Sequence, residues 1–124
     1  MQVKETFLNL TKTYKNAISR LEKLFDPEFE KAVKLINSSD GHIVVCGMGK
    51  SGLVGRKISA TLASTGTPSY FLHPGEAIHG DLGIVQSKSI IILISYSGET
   101  DEILALLPAL KLSLIHISEP TRRY

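Results

Sequence analysis

Apolar residues recur at alternating spacings of four and three near the start of the chain. They are Val3, Phe7, Leu10, Tyr14, Ala17, Leu21 and Leu24. This spacing is typical of a helix that packs along one face, so it predicts one long helix. A second helix is predicted next, with Asp26 as its N-cap, Pro27 at its first position and a polar cluster at residues 37–41 after its end.

From residue 42 onward, short apolar runs alternate with helical patterns. The runs HIVVC, SYFL and KSIIILIS each have the length and composition of a buried strand. Helices are predicted from Ser51 to about Ser64 and from Glu99 to Leu110, and residues 73–83 are predicted to form a loop with one helical turn. The first of these helices has an apolar stripe of Leu53, Val54, Ile58, Leu62 and Ala63.

This order of elements predicts an α/β fold with an open parallel sheet and helices on both faces. In such sheets the ligand binds at the carboxyl ends of the strands. We therefore expect the loops after Cys46, Leu72 and Ser95 to converge on one site.

Composition narrows the class of ligand. The chain has 124 residues, 43% of them apolar and 21% charged, with no apolar run long enough for a membrane span. The net charge of +2 is small and its basic residues are scattered, which argues against a nucleic-acid partner.

The N-terminus lacks the pattern of a secretory signal, so we expect a cytoplasmic protein. Cys46 lies within an apolar run and is expected to be a buried thiol.

The stretch GMGKSG, residues 47–52, carries two incomplete nucleotide signatures. It satisfies the dinucleotide pattern G-x-G-x-x-G, but the second strand ends at Leu72-His73 without the acid that would bind a ribose. It also ends like a P-loop, but Val44 stands where a P-loop has its first glycine. What remains is a set of small residues at a helix N-terminus, which suits an anion. A glycine turn that packs tightly without a ligand is the alternative.

A second loop suited to an anion follows the third strand. Ser95, Ser97 and Thr100 bring three hydroxyls to the start of the next helix, whereas an N-cap by Ser97 would account for only one. Two such loops at neighbouring strand ends indicate a single phosphorylated ligand. Because no residue that reads adenine or ribose is evident, a sugar phosphate is favoured over a nucleotide.

Three motifs in this order resemble those of one known family. GMGKSG, STGTPSYFLHPGEAIHGDLG and ISYSGETDEI are similar to the sugar isomerase (SIS) domain of the arabinose-5-phosphate isomerases, over about residues 1–111. The resemblance implies a flavodoxin- or Rossmann-like parallel sheet of five strands, two CBS domains after it, assembly as a homo-tetramer and no cofactor. The chain is then C-terminally incomplete, with N-terminal helices at 1–40 and a truncated SIS core at 41–111.

The resemblance also implies roles for individual residues. Lys50, Glu102 and His79 are expected to be catalytic, and Lys50 to stabilise an oxyanion or contact the phosphate. Contacts to the substrate or its phosphate are expected from Gly49, Ser51, Gly66, Thr67, His73, His79, Ser95, Ser97 and Thr100. His73 is also a candidate ligand for a zinc ion that would inhibit the enzyme. The alternatives are a solvated lysine and glutamate, and a plain helix-to-strand turn at Gly66 and Thr67.

The implied activity is the interconversion of ribulose 5-phosphate and arabinose 5-phosphate through an enediolate, which would feed synthesis of the eight-carbon sugar acid of lipopolysaccharide. The truncated chain itself is expected to have little or no activity. One rival is a SIS module of a regulator that binds a sugar phosphate without chemistry. Another is an isomerase of the same fold with a different sugar phosphate. The ionisable residues of the 73–83 loop and Glu102 favour an isomerase over a sensor.

The end of the chain carries a pattern of a different kind. Residues 112–122, LSLIHISEPTR, resemble the translation of a transposase sequencing adapter, and we interpret residues 112–124 as a tail foreign to the protein. The alternative is a natural last strand formed by LSLIHI.

Overall fold

A computed structural model describes residues 2–98 and 100–113 of the chain. The chain divides into two compact units, one up to Asn37 and one from Ser38. No helix within the described ranges is long and apolar enough to cross a membrane.

The N-terminal unit consists of two helices, as predicted. Helix α1 spans Val3–Leu24 and helix α2 spans Pro27–Ser38. The carboxylate of Asp26 accepts a hydrogen bond of 2.9 Å from the backbone N–H of Phe29, so the predicted N-cap is confirmed. The seven apolar residues that predicted α1 are called the α1 seam below. Its six largest side chains, which exclude Ala17, are between 53% and 69% exposed.

The second unit is a parallel sheet crossed by helices. Its elements are β1 (Ile43–Gly47), α3 (Gly49–Ser64), β2 (Ser69–Leu72), α4 (Pro74–Ile78), a 3₁₀ turn (Asp81–Ile84), β3 (Ile90–Ile94) and α5 (Asp101–Ser113). The three described strands lie in the order β2-β1-β3 and both pairings are parallel. The predicted α/β class and the predicted strands are confirmed.

Side-chain alternation along β1 separates the two faces of the sheet. Val44 and Cys46 point to the face that carries α5, where they share a core with Leu106 and Leu110. Val45 points to the opposite face, towards Gly55 of α3. Residues 43–46 are at most 1% exposed, so the helices cover both faces of the central strand.

The apolar stripe that predicted α3 does not face the sheet. Leu53 is 68% exposed and Val54 54% exposed, whereas Gly52, Gly55 and Ser59 of this helix are buried. The reason is the close approach of α3, since a Cβ atom added at Gly52 would lie 2.7 Å from the carbonyl oxygen of Gly47. Only small residues of α3 fit against β1 and the Phe71 ring, so the stripe that predicted this helix lies mostly on its exposed side.

Two other boundaries differ from the predictions. Helix α3 begins at Gly49, two residues before the predicted start, and the loop at 73–83 contains the 3₁₀ turn as well as the single turn of α4. Helix α5 begins at Asp101 and continues through Ser113, across the predicted boundary at 112. Residues 114–124 of the predicted tail lie outside the described residues, and their interpretation stays a prediction.

The close contact between α3 and β1 predicts that Gly52→Ala destabilises the protein. The added methyl would press on backbone rather than on a flexible side chain, so we expect the free energy of unfolding to fall by about 1–3 kcal/mol. Urea unfolding measures this loss as a lower midpoint at an unchanged slope. The control, Lys57→Ala at an exposed position of the same helix, should change stability by no more than about 0.5 kcal/mol. Equal stability of Gly52→Ala and the native chain would contradict the packing described here.

Candidate functional site

The strand register brings three loops to one edge of the sheet. Gly47 pairs with Ile94 and Cys46 pairs with Leu72, so Met48, His73 and Ser95 leave neighbouring strands side by side. Adjacent strands lie about 4.8 Å apart. We call this end of the sheet the carboxyl edge, and α3, α4 and α5 all begin there. The three loops therefore begin at one edge, as predicted, and their convergence on one site stays a prediction.

Packing accounts for two of the three glycines in GMGKSG. A Cβ atom at Gly47 would lie 3.2 Å from the carbonyl oxygen of Ile94, and one at Gly52 would meet the Gly47 carbonyl. Gly49 has a φ of +60°, a backbone conformation that residues other than glycine rarely adopt. The space around it is open, since a Cβ atom added there would have no atom of a non-neighbouring residue within 4 Å. The glycine pattern is therefore explained by the approach of α3 to β1, and it does not by itself indicate a ligand.

The start of α3 nevertheless has features that suit an anion. Its N-cap position is Met48, which makes no side-chain cap, so the amides of the first turn are not satisfied by a capping side chain. Lys50 is exposed on this first turn and Ser51 is half-buried. The helix dipole, the amides and the Lys50 ammonium all favour negative charge at this position.

Hydrogen bonds close the loop between β3 and α5. The Ser95 hydroxyl lies 2.8 Å from the Thr100 hydroxyl and accepts a hydrogen bond of 3.0 Å from the N–H of Gly98. Gly98 has a φ of +69°, which permits this turn. Because each hydroxyl has one proton and the pair shares one between them, a single O–H remains to donate to a ligand. Ser97 is exposed on the same loop.

The two histidines of the 73–83 loop lie at opposite ends of α4. His73 is the N-cap and half-buried, and His79 is the C-cap and exposed. The Nδ1 atom of His73 accepts a hydrogen bond of 3.1 Å from the N–H of Gly75. Among the described residues, no three His, Cys, Asp or Glu side chains cluster closely enough to hold a metal ion, and the zinc expectation for His73 stays a prediction.

Glu102 lies in the first turn of α5 and is half-buried. It precedes Leu106 and Leu110 at helical spacings of four, and both leucines are buried against the sheet. Glu102 therefore lies at the carboxyl edge, on the face opposite α3, and α5 also contacts α4 there. A site at this edge would have Lys50 on one side and Glu102 on the other.

Gly66 and Thr67 lie at the other end of the sheet. They connect the end of α3 to β2, and the next residue, Pro68, accepts a hydrogen bond of 2.9 Å from the N–H of Ile43 at the start of β1. The length of β1, roughly 15 Å, separates this amino edge from the carboxyl edge. Within one chain, Gly66 and Thr67 therefore lie at the opposite end of the sheet from the predicted site residues of the carboxyl edge. Their contact with a substrate stays a prediction.

Two residues near the site were not singled out from the sequence. Tyr96 is fully exposed between Ser95 and Ser97, and Gly75 contacts the His73 imidazole. The sequence signal for Gly75 is its position two residues after a histidine N-cap. Cys46, by contrast, is 1% exposed, and burial raises the pKa of its thiol to about 11. The predicted burial of this thiol is confirmed, and burial favours its neutral form.

Comparison with known proteins relates this arrangement to a named group. The sequence matches the model of the SIS domain over residues 35–116. Over 96 residues it is 58% identical to the arabinose 5-phosphate isomerase KpsF of Escherichia coli O6:H1 (strain CFT073), and the match covers 77% of this chain and 29% of that protein. A probable arabinose 5-phosphate isomerase of Haemophilus influenzae is 52% identical, and the match covers 77% of this chain and 28% of that protein. The chain thus spans less than a third of the length of these relatives.

Two solved structures share the fold. A protein of E. coli CFT073 in complex with arabinose 5-phosphate is 44% identical with a TM-score of 0.78, and the match covers 92% of this chain and 64% of that one. A putative sugar-phosphate isomerase of Listeria monocytogenes is 38% identical with a TM-score of 0.81, and the match covers 92% and 63%. The family model matches more than half of the sequence, and the chain belongs to the SIS domain family.

Proposed function

We propose that this chain is the sugar-phosphate-binding part of an aldose–ketose isomerase that interconverts D-ribulose 5-phosphate and D-arabinose 5-phosphate. The observation that carries the proposal is the parallel register, which sets the loop with Lys50 beside the loop at 95–100. Relatives that carry the name arabinose 5-phosphate isomerase, at 58% and 52% identity, supply the substrate and the reaction.

The phosphate group is assigned to the region between the starts of α3 and α5. Uncapped amides of α3 and the remaining O–H of the pair formed by Ser95 and Thr100 donate to it, and both helix dipoles attract its charge. Gly49 and Ser51 contribute backbone amides on the α3 side. Ser97 lies on the loop between β3 and α5 and is included in this phosphate-binding set.

The isomerisation itself needs only proton transfers. A base removes a proton from C1 of ribulose 5-phosphate, and the electron pair forms a C1–C2 double bond while negative charge develops on the C2 oxygen. The proton of the C1 hydroxyl passes to the C2 oxygen, a proton is delivered to C2, and the C1 oxygen becomes the carbonyl oxygen of the aldehyde. No electron leaves the substrate, so the reaction requires no redox cofactor.

Glu102, Lys50 and His79 have the chemistry for these steps. The half-buried Glu102 is the assigned base, since a carboxylate shielded from water on one side is suited to accept a carbon-bound proton. The exposed Lys50 ammonium is assigned to the developing oxyanion, and His79 to transfer of protons between oxygens. Because Lys50 and Glu102 extend from opposite faces of the sheet, the sugar carbons would lie beyond the edge between them.

A protein with the length of the relatives is expected to convert ribulose 5-phosphate into an aldose. The 124-residue chain alone is expected to show little or no turnover, because it spans only 29% of the KpsF protein. Following aldose formation over time measures both. Binding of the sugar phosphate without turnover by the longer protein would contradict the isomerase and favour a non-catalytic SIS module.

Matched variants of the longer protein test the assigned residues. Lys50→Met and Glu102→Gln should each lower kcat by about 10²-fold or more, the usual contribution of acid–base and oxyanion groups. Lys57→Met on α3 and Asp101→Asn next to Glu102 are exposed controls that should retain nearly full activity. Equal losses in the variants and their controls would exclude specific roles for Lys50 and Glu102.

We also propose that copies of the protein associate through the α1 seam, forming a homo-oligomer that is a tetramer at the length of the relatives. The six large side chains of the seam are at least 53% exposed, and an apolar stripe of this length is typical of a helix that packs against another surface. The charged residues Lys12 and Lys15 lie on other faces of α1.

Charge placed in the seam should therefore dissociate the oligomer. Leu10→Glu with Leu21→Glu is expected to lower the molar mass measured by light scattering after size exclusion, because two carboxylates would be buried at the contact. Lys12→Glu changes charge outside the seam and should leave the mass unchanged. An unchanged mass in the double variant would show that the seam is not the contact.

A further inference from the structure

The hydroxyl of Tyr70 holds the backbone of the segment that leads from β2 to β3. Tyr70 lies two residues before the end of β2, and its Oη atom donates a hydrogen bond of 2.6 Å to the carbonyl oxygen of Ile84. Ile84 is the last residue of the 3₁₀ turn, where a carbonyl has no partner within the turn itself. The tyrosine side chain therefore caps this turn from the sheet.

The surroundings of Tyr70 make it a fixed donor. Its ring packs against the buried cluster on the α5 face of the sheet, and its centroid lies 5.8 Å from that of the His42 ring. Burial raises the pKa of Tyr70, so the hydroxyl keeps its proton at neutral pH. A phenol has a single proton to donate, and here that proton is directed at Ile84.

His79 lies between this anchor and α4. Ala77 before it, and Leu82 and Val85 after it, pack in the same cluster. His79 itself is exposed at the C-cap of α4, so packing of its own side chain does not fix its position. Gly80 follows with a φ of +135°, a conformation that residues other than glycine rarely adopt. The backbone on both sides of His79 therefore decides where its imidazole lies.

We propose that Tyr70 is a positioning residue for the isomerisation, which fixes the 3₁₀ turn through the carbonyl of Ile84 and thereby keeps the imidazole of His79 at the carboxyl edge. The role of His79 rests on the proposed function, whereas the hold of Tyr70 on the turn does not. Helix α4 begins at this edge and has five residues, so its far end lies only about 8 Å along the helix axis. A displacement of about 1 Å in a reacting group is enough to slow a reaction by orders of magnitude.

Hydrogen exchange of the protein at the length of its relatives tests the hold on the turn. In Tyr70→Phe, amides in peptides that cover residues 81–85 should exchange about fivefold faster, the factor that corresponds to the loss of one ordinary hydrogen bond. Gly52→Ala, which weakens the packing of α3 on the other face of the sheet, should leave this rate unchanged because the turn opens locally. An equal rate in Tyr70→Phe and the native protein, or an equal increase in Gly52→Ala, would overturn the proposal.

The positioning role is measured by a double-mutant cycle on kcat in the same protein. Tyr70→Phe should lower kcat roughly tenfold with a smaller change in KM, because the turn no longer fixes His79. In the His79→Gln background the same substitution should lower the remaining kcat by less than about twofold, since the residue it acts through is gone. Ser87→Ala removes an exposed hydroxyl from the same segment and should retain nearly full kcat in both backgrounds.

Two results of the cycle would overturn the positioning role. One is an unchanged kcat in Tyr70→Phe, and the other is an equal loss in the native and His79→Gln backgrounds, which would mean that Tyr70 acts on the fold in general. Absence of turnover in the native protein, with faster exchange in Tyr70→Phe, would contradict the proposed function and leave the hold of Tyr70 on the turn standing.

Discussion

The parallel pairing of β1 with β2 and β3 is the constraint on which the rest of the second unit depends. Residues 43–46 of β1 are at most 1% exposed, and each buried aliphatic side chain stabilises the fold by about 1.5–3 kcal/mol. Because all described strands run in the same direction, their carboxyl ends meet at one edge. The backbone register of the strands brings the three loops to this edge.

Much of this arrangement could be predicted from the sequence, because strands and helix caps leave local signals. The runs HIVVC, SYFL and KSIIILIS predicted the strands, and Asp26-Pro27 predicted the start of α2. The orientation of α3 could not be predicted from its apolar stripe. Its buried side is decided by how closely a backbone can approach β1, and that distance is a property of the folded packing between Gly52 and Gly47.

The residues of the candidate site also divide into those whose position the sequence predicted and those whose position it did not. Lys50, His73, Ser95 and Thr100 lie at or near strand ends, so the order of elements was enough to predict that they lie at the same edge of the sheet. Gly66 and Thr67 were expected by resemblance alone, and they lie at the amino edge because α3 returns the chain to the other end of the sheet. The bond between the Ser95 and Thr100 hydroxyls depends on loop geometry that carries no pattern in the sequence.

Binding of a sugar phosphate at the carboxyl edge is the central claim. A crystal structure of the protein at the length of its relatives, with arabinose 5-phosphate bound, tests this claim most directly. We predict phosphate oxygens within about 3 Å of donors from the loop at 95–100 or the first turn of α3, with the sugar carbons near Lys50. A phosphate bound instead at the amino edge, in contact with Gly66 and Thr67 of the same chain, would contradict it.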